Sequence, residues 1–250
     1  PKPLIPVSGR PMVEQVIRSL PVAQKLVVVA QQQHLETYPA LSEALKASHK
    51  DVELVGLSQP TEGQAITAQL GVERLPADQP VLIASCDTGL DFDHTSFWQH
   101  LDDPEIDALI FSFRHYQPAL WRPKAHGWVV VDGLKANRVS TKVPISDNPC
   151  NDHGVVGSFY FRTASIYLEA VSKLVAADRR INNEFYIDEM MNVLIESGRR
   201  VEVFEMQAYL VWGTPNELKT YQYWQQYFHQ APQHPYRMEH DADFPESWLT

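Results

Sequence analysis

Between Lys25 and Phe113 the chain alternates short apolar runs with longer stretches of helical character, and this alternation restricts the fold more than any other feature. Lys25–Ala30, with Val27, Val28 and Val29 at its centre, reads as a short buried strand. Val52–Leu57, the run beginning at Val81 and Ala108–Phe113 read the same way. Helices are predicted at about His34–Ala47, from Pro60–Ala65 on to Leu75, and near His94–Leu101. Strands separated by helices in this manner predict an α/β fold: a Rossmann-like, mixed but mostly parallel sheet flanked by helices.

The rhythm changes after Phe113. Trp128–Gly133 is a strand entering an Asp-Gly turn, with a second hairpin arm over Arg138–Val143. Val155–Phe161 and Val201–Met206 are further strands, and helices are predicted at Ser165–Ala177, Glu184–Gly198 and Pro215–Gln230. At the start, Pro1, Pro3 and Pro6 keep the chain out of a helix until the turn at Ser8–Pro11. Met12, Val13, Val16, Ile17 and Leu20 then form a helical stripe. With no repeat and no linker, residues 1–230 read as one domain. The remainder, 231–250, rich in Pro, His and acids, reads as an irregular tail.

A formal charge of −10 argues against a general nucleic-acid surface, but not against a small phosphorylated substrate. No apolar run is long enough to span a membrane, and no signal peptide is evident. Pro1 as first residue marks a processed, cropped or partial chain. Cys86 and Cys150 are too few for a disulfide framework and fit a cytoplasmic location.

Asp87 ends the apolar run from Val81. At the carboxyl edge of an open α/β sheet, where ligands bind, such a carboxylate can hold Mg²⁺ against a phosphate. It can equally cap the helix near His94. Lys2, in a proline-stiffened segment, is either a positioned charge for phosphate or a solvated terminal lysine. Gly63 opens a helix, where a ligand or simply the chain itself can approach closely. Lys142 ends a strand, facing the same crevice or bulk water. Asn183–Asp188 begins a helix whose acids can accept sugar hydroxyls, with capping by Asn182 or Asn183 as the structural alternative. Tyr221, Tyr223, Trp224, Tyr227 and Phe228 read as the packing face of the last helix. P-loop, dinucleotide-binding and nucleophile-elbow motifs are absent, and His94, His100, His115, His126 and His153 lack zinc spacing.

Taken in order, these segments resemble the sugar-1-phosphate nucleotidyltransferases, the NDP-sugar pyrophosphorylases of the nucleotide-diphospho-sugar transferase fold, over about Pro1 to Tyr223. Pro1–Met12 is similar to that family's Pro-Lys-Pro-Leu-Leu-Pro-Val-x-Gly-Lys-Pro-Met stretch. The resemblance implies transfer of a nucleotide from an NTP to a sugar 1-phosphate with Mg²⁺, in nucleotide-sugar biosynthesis. It gives catalytic roles to Lys2, on phosphate, and Asp87, on the metal. It places Gly63 and, more weakly, Gln59 at the nucleobase. Lys142 matches the lysine of a Glu-Lys-Pro motif on the sugar phosphate, with Thr141 in place of the glutamate. Gly157 and Glu184 match the sugar-side glycine and acid, and Trp212–Pro215 looks like the family's Gly-Thr-Pro.

Two departures accompany the match. The family's Gly-x-Gly-x-Arg loop precedes the proline-rich stretch, and this sequence starts after it; either an upstream segment has been removed, or this version does not hold a triphosphate. A further metal-binding aspartate would fall at Val211, leaving Asp91 or Asp93 to compensate. The alternatives are a non-catalytic nucleotide-sugar-binding regulatory protein, or a related glycosyltransferase using Asp91-Phe92-Asp93. The nucleobase and the sugar stay open, a phosphorylated alcohol such as choline phosphate among the acceptors, as does assembly into a homo-oligomer.

Overall fold

Proline chemistry sets the first turns of the computed structural model, which describes residues 1–241. Lys2–Leu4 forms a single 3₁₀ turn, after which β1 (Pro6–Val7) and β2 (Arg10–Pro11) pair across Ser8 and Gly9. Both turn residues have positive φ, 48° and 76°, as a tight two-residue hairpin demands. α1 (Met12–Ser19) buries Met12, Val13 and Val16. β3 (Leu26–Gln31) follows, then α2 (Gln32–Thr37) and α3 (Pro39–Ser48). The sequence predicts one helix there; Pro39 divides it, because the residue before a proline is driven out of the helical region, and Tyr38 sits at φ −123°, ψ 80°. β4 (Val52–Leu57) lies parallel to β3, Leu26 opposite Val52.

The chain continues through α4 (Gln64–Val72), β5 (Val81–Ile83), β6 (Thr88–Asp91), α5 (His94–Leu101) and β7 (Ala108–Phe113). Then come the hairpin β8 (Trp128–Asp132) and β9 (Lys135–Ser140), and the long β10 (His153–Phe161). α6 (Ala164–Ala176), α7 (Ile187–Glu196), β11 (Val201–Glu205), β12 (Ala208–Val211) and α8 (Pro215–Gln230) complete the order.

The architecture is mixed α/β, but the expected mostly parallel, Rossmann-like sheet is corrected. The main sheet runs β5-β10-β7-β11-β9-β8, and β8 also pairs with β10, closing five strands into a small barrel. Among the described residues, parallel pairing is confined to β3–β4 and β7–β11. The cause is β10: it returns from far along the chain and inserts antiparallel between β5 and β7, two strands that chain order alone would set side by side. Alternation of strands and helices reports sequence order, not neighbourhood.

All six residues of β7 are buried, as in a strand covered on both faces. Ala108 and Ile110 face the layer of α4, α6 and α7, packing with Tyr167, Leu174, Met190 and Met191. Leu109, Phe111 and Phe113 face α5 in an aromatic cluster with Phe92, Phe97, Trp128 and Phe204. Phe92 meets Phe111 and Phe204 edge-on at 5.6 and 5.8 Å. α8 departs from expectation. Tyr221 packs on Trp212 (5.5 Å) and Phe228 is half-buried, but Tyr223, Trp224 and Tyr227 are exposed. The two cysteines are free thiols. Of the expected irregular tail, residues 231–241 contain one 3₁₀ turn, Met238–His240; residues 242–250 lie outside the described residues. No helix among the described residues is long and apolar enough to cross a membrane.

Gly63 caps α4 at φ 128°, and a Cβ there would stand 2.6 Å from both the backbone N and O of Phe185. Phe185 N–H donates to Glu62 O (2.8 Å) and Ala65 N–H donates to Phe185 O (3.0 Å), stitching the start of α4 to the approach to α7. Gly63→Ala is therefore expected to lose about 2 kcal/mol or more of stability, read as a lower urea midpoint with unchanged m. A midpoint equal to that of the parent protein would contradict this account.

Candidate functional site

The chain leaves β5 through Ala84-Ser85-Cys86 and presents Asp87 just before β6. β6 then pairs antiparallel with β12, Asp91 opposite Ala208 and Thr88 opposite Val211, and Trp212 N–H donates to Asp87 O (2.9 Å). This register lays Gly213 against Asp87. Just beyond, Thr214 and Glu217 form a capping box: Glu217 N–H donates to Thr214 Oγ1 and Thr214 N–H to Glu217 Oε2 (2.7 Å). A Cβ on Gly213 would lie 3.3 Å from Asp87 Oδ2 and 3.3 Å from Glu217 Oε2, so the two carboxylates flank a residue that has no side chain.

Lys2 reaches the same place. Its ammonium pairs directly with Asp87 Oδ2, with the lysine side chain 42% and the aspartate 23% exposed. Val7, Met12 and Val16 hold the N-terminal hairpin in place by packing with Trp212, Leu218 and Tyr221. Asp87 does not cap α5; Asp93 does so, accepting from Ser96 N–H. Asp91 is exposed four residues beyond Asp87, about 13 Å of extended chain. Val211 is paired with Thr88.

From Glu217 a run of aromatic groups leads to a second cluster. Tyr209, on β12, stacks on Phe113 at 4.2 Å and meets Tyr116 edge-on at 5.0 Å. Burial raises the Tyr209 hydroxyl well above the usual phenol range, and the charges of Glu217, Tyr116 and Asp87 add to this. Tyr116 is raised by burial and by Glu217. His126 lies 6.1 Å from Tyr209 and is pushed down to about 4, first by burial, then by the cations of Lys142 and Arg122. It is therefore a neutral imidazole at neutral pH.

Lys142 follows β9 in the left-handed region (φ 64°), donates to Ala125 O (2.6 Å) and stands 5.6 Å over the Tyr186 ring. Facing it is Asp188, in the first turn of α7 and buried; a Cβ on Gly127 would collide with its Oδ2. Burial pushes Asp188 up to about 6, with Lys142 pulling in the opposite direction.

Glu184 is corrected as a first-turn residue. Asn182 and Asn183 adopt left-handed φ (50° and 66°), Glu184 bridges back to Ile181, and α7 begins only at Ile187. Glu184 is exposed, beside the Tyr186 hydroxyl, and neither asparagine caps the helix. Gly157 has φ 95° at the irregularity in β10, with nothing within 4 Å of a Cβ. Gln59 is exposed between β4 and α4, and the tight approach at Gly63 is to the Phe185 backbone.

The structure thus joins Lys2 with Asp87 and sets Lys142 across the aromatic run. Sequence reasoning reached Asp188 only as one acid of the Asn183–Asp188 segment, took His126 for one of several scattered histidines, and missed Glu217 and Tyr209. Thr-Pro-Asn-Glu at 214–217 is a readable capping-box signature, and Asp188 is an acid set among apolar residues; their positions relative to Asp87 and Lys142 are tertiary facts. The donor set at Asp87 suits a hard cation, which is held by one or two carboxylates and completes its shell with phosphate oxygens and water. No group of three or more His, Cys, Asp or Glu is placed to hold a metal ion among the described residues.

A family model described as "MobA-like NTP transferase domain" matches residues 1–138. No curated protein matches the chain. Among solved structures it is similar to a nucleoside-diphosphate-sugar pyrophosphorylase from Vibrio cholerae RC9, at 20% identity and TM-score 0.70, over 88% of this chain and 91% of that one. An inositol-1-phosphate CTP transferase from T. maritima gives 14% and 0.67, over 89% and 85%. A CMP:2-keto-3-deoxy-manno-octonic acid synthetase complexed with CTP gives 18% and 0.63, over 90% and 92%. At these identities the structural likeness establishes the fold.

Asp188 carries a pH signature. Its folded value of about 6 exceeds an ordinary 3.8, so the native state holds its proton more tightly than the unfolded chain. Stability therefore falls as pH rises from about 4 to 6 and stays lowered above that. Asp188→Asn is expected to raise the unfolding free energy at pH 7.5 by about 1–3 kcal/mol, with the gain vanishing near pH 4. Urea titrations across that range test it; a difference that does not change with pH contradicts it.

Proposed function

The chain belongs to the MobA-like NTP transferase family, and from that premise we propose that it joins an NTP to a sugar 1-phosphate, yielding an NDP-sugar and pyrophosphate. The observation that carries this reading is the direct pairing of Lys2 with Asp87, with a second lysine, Lys142, held across the aromatic run. The names of the similar structures support it: they act on nucleotides together with sugar or polyol partners.

In the proposed reaction an oxygen of the sugar phosphate attacks the α-phosphorus, and the bond to the leaving pyrophosphate breaks. Such transfers ask the protein for positioning and charge neutralisation rather than covalent chemistry. Lys2, released from Asp87, takes the nucleotide phosphates, and Lys142 takes the sugar phosphate. Its tie to Ala125 O keeps the ammonium in place before the acceptor arrives. Mg²⁺ held by Asp87 would supply neutralisation of phosphate oxygens. Gly63 and Gln59 are assigned to the base, Gly157 and Glu184 to the sugar side. Asp188, buried beside Lys142, joins them as an acceptor-side carboxylate.

A second reading, a non-catalytic nucleotide-sugar-binding protein, draws its support from Val211. The glycosyltransferase reading draws on Asp91-Phe92-Asp93, of which Asp93 caps α5 by accepting from Ser96 N–H.

The test is pyrophosphate release from each NTP with Mg²⁺ against a panel of sugar phosphates, using the full natural chain. Turnover is expected with one pair, and Asp87→Asn is expected to lower the rate about a hundredfold or more. Binding of nucleotide or nucleotide-sugar without release in any combination would favour the second reading.

A further inference from the structure

β9 leads directly to Lys142, and its two edges are covered unequally. β8 pairs along one edge, from Lys135 opposite Asp132 to Ser140 opposite Trp128. On the other edge β11 meets β9 only at Lys135 among the described residues. Farther along, at the buried Val139, a side chain takes the place of a strand. Val139 N–H donates to Asn192 Oδ1 (2.7 Å), and Asn192 Nδ2 donates to Val139 O (2.9 Å). Asn192, on α7, is itself buried, and Nδ2 also donates to Glu189 Oε2 (2.9 Å). Glu189 in turn accepts from Arg179 Nε (2.8 Å). Both amide hydrogens and the amide oxygen are thus used, and the carboxylate fixes which end of the amide faces which group.

The same helix meets Lys142 one turn earlier. Asp188 and Asn192 are four residues apart and share a face of α7. Tyr186, just before the helix, sets its ring under the Lys142 ammonium. Lys142 follows Val139 by three residues, and Ser140 Oγ closes the turn around it by donating to Val143 O (2.7 Å). The lysine is therefore fixed at its tip by Ala125 O and near its root by Asn192. Of the charges that bear on Asp188, Lys142 favours its ionised form and Glu189 opposes it.

We propose that Asn192 is a positioning residue for the acceptor lysine: by completing the open edge of β9 it sets where Lys142 leaves the strand, and so holds the ammonium beside Tyr186 and Asp188. This rests on reading Lys142 as the residue that takes the acceptor phosphate. Asn192 acts through three residues of backbone and touches no substrate itself. α7 carries both Asp188 and Asn192, so one rigid helix places the carboxylate and, through β9, the lysine that faces it.

A double-mutant cycle separates positioning from plain stability. Wild type, Asn192→Ala, Lys142→Met and the double variant are compared as whole proteins. The Asp188 carboxyl is titrated by carbon-13 NMR, inorganic phosphate binding is read at the same resonance, and Tm is recorded alongside. Lys142→Met is expected to raise the Asp188 pKa further above its ordinary value and to weaken phosphate binding about tenfold. Asn192→Ala is expected to lower Tm, to raise the Asp188 pKa in the same direction and to weaken phosphate binding about threefold or more. The double variant is expected to match Lys142→Met in titration and in phosphate binding, because no lysine remains to be misplaced. Effects that simply add would show Asn192 acting independently of Lys142 and overturn the proposal. Wild-type titration and phosphate affinity in a folded Asn192→Ala, with only Tm lowered, would overturn it too. Asn192→Ser keeps a hydrogen-bonding oxygen but cannot span both groups of Val139; it carries the same expectations if the alanine variant does not fold. Absence of any phosphate effect in wild type would overturn the acceptor reading of Lys142, while the Asp188 titrations still decide whether Asn192 places it.

Discussion

Four antiparallel pairs between β6 and β12 hold the site together. Without them the acid between β5 and β6 and the helix start at Thr214 would be unrelated parts of the chain. With them, Trp212 hydrogen-bonds back to Asp87, Gly213 lies against its carboxylate, and the first turn of α8 is aimed at the same point. The N-terminal hairpin depends on this pairing too, since Val7, Met12 and Val16 pack against Trp212, and through them Lys2 is placed. A short two-stranded ladder at the margin of the main sheet thus fixes residues from three distant regions.

Local chemistry made much of the fold legible in advance. The apolar runs at Val27–Val29, Val81 and Ala108–Phe113, the Asp132-Gly133 turn and the proline-stiffened start all became the elements they suggest. Neighbourhood was not legible. Nothing in the residues of β10 says that it inserts between β5 and β7, nor that β6 and β12 form strands at all, because pairing is chosen by burial across the whole molecule rather than by the segment itself. For the same reason Lys2, Asp87 and Lys142 could be singled out by residue type, and Asp188 as part of an acidic segment, whereas Glu217 is recognised only by what stands opposite it. Glu184 shows the limit of a local reading: the left-handed turn at Asn182–Asn183 delays the helix and leaves the expected acid on the surface.

The two clusters also differ physically. Around Asp87 the groups are partly solvated, and its carboxylate is met by the Lys2 ammonium in a direct ion pair. Around Lys142 burial has the larger effect: His126 is held neutral and the buried Asp188 is pushed toward protonation. Carboxylates held against their solvation preference are a common mark of binding and catalytic sites rather than of plain structure.

The insertion of β10 bears on the order in which the protein can be assembled. β5 and β7 are made well before the strand that joins them, so the emerging chain holds two ladder edges with no partner until residues 153–161 have left the ribosome. Contacts of such long sequence separation are slow to form, and unsatisfied edges invite association with other chains in the meantime. The stretch most recognisable by its sequence, residues 1–138, is therefore not a unit that can finish its own sheet.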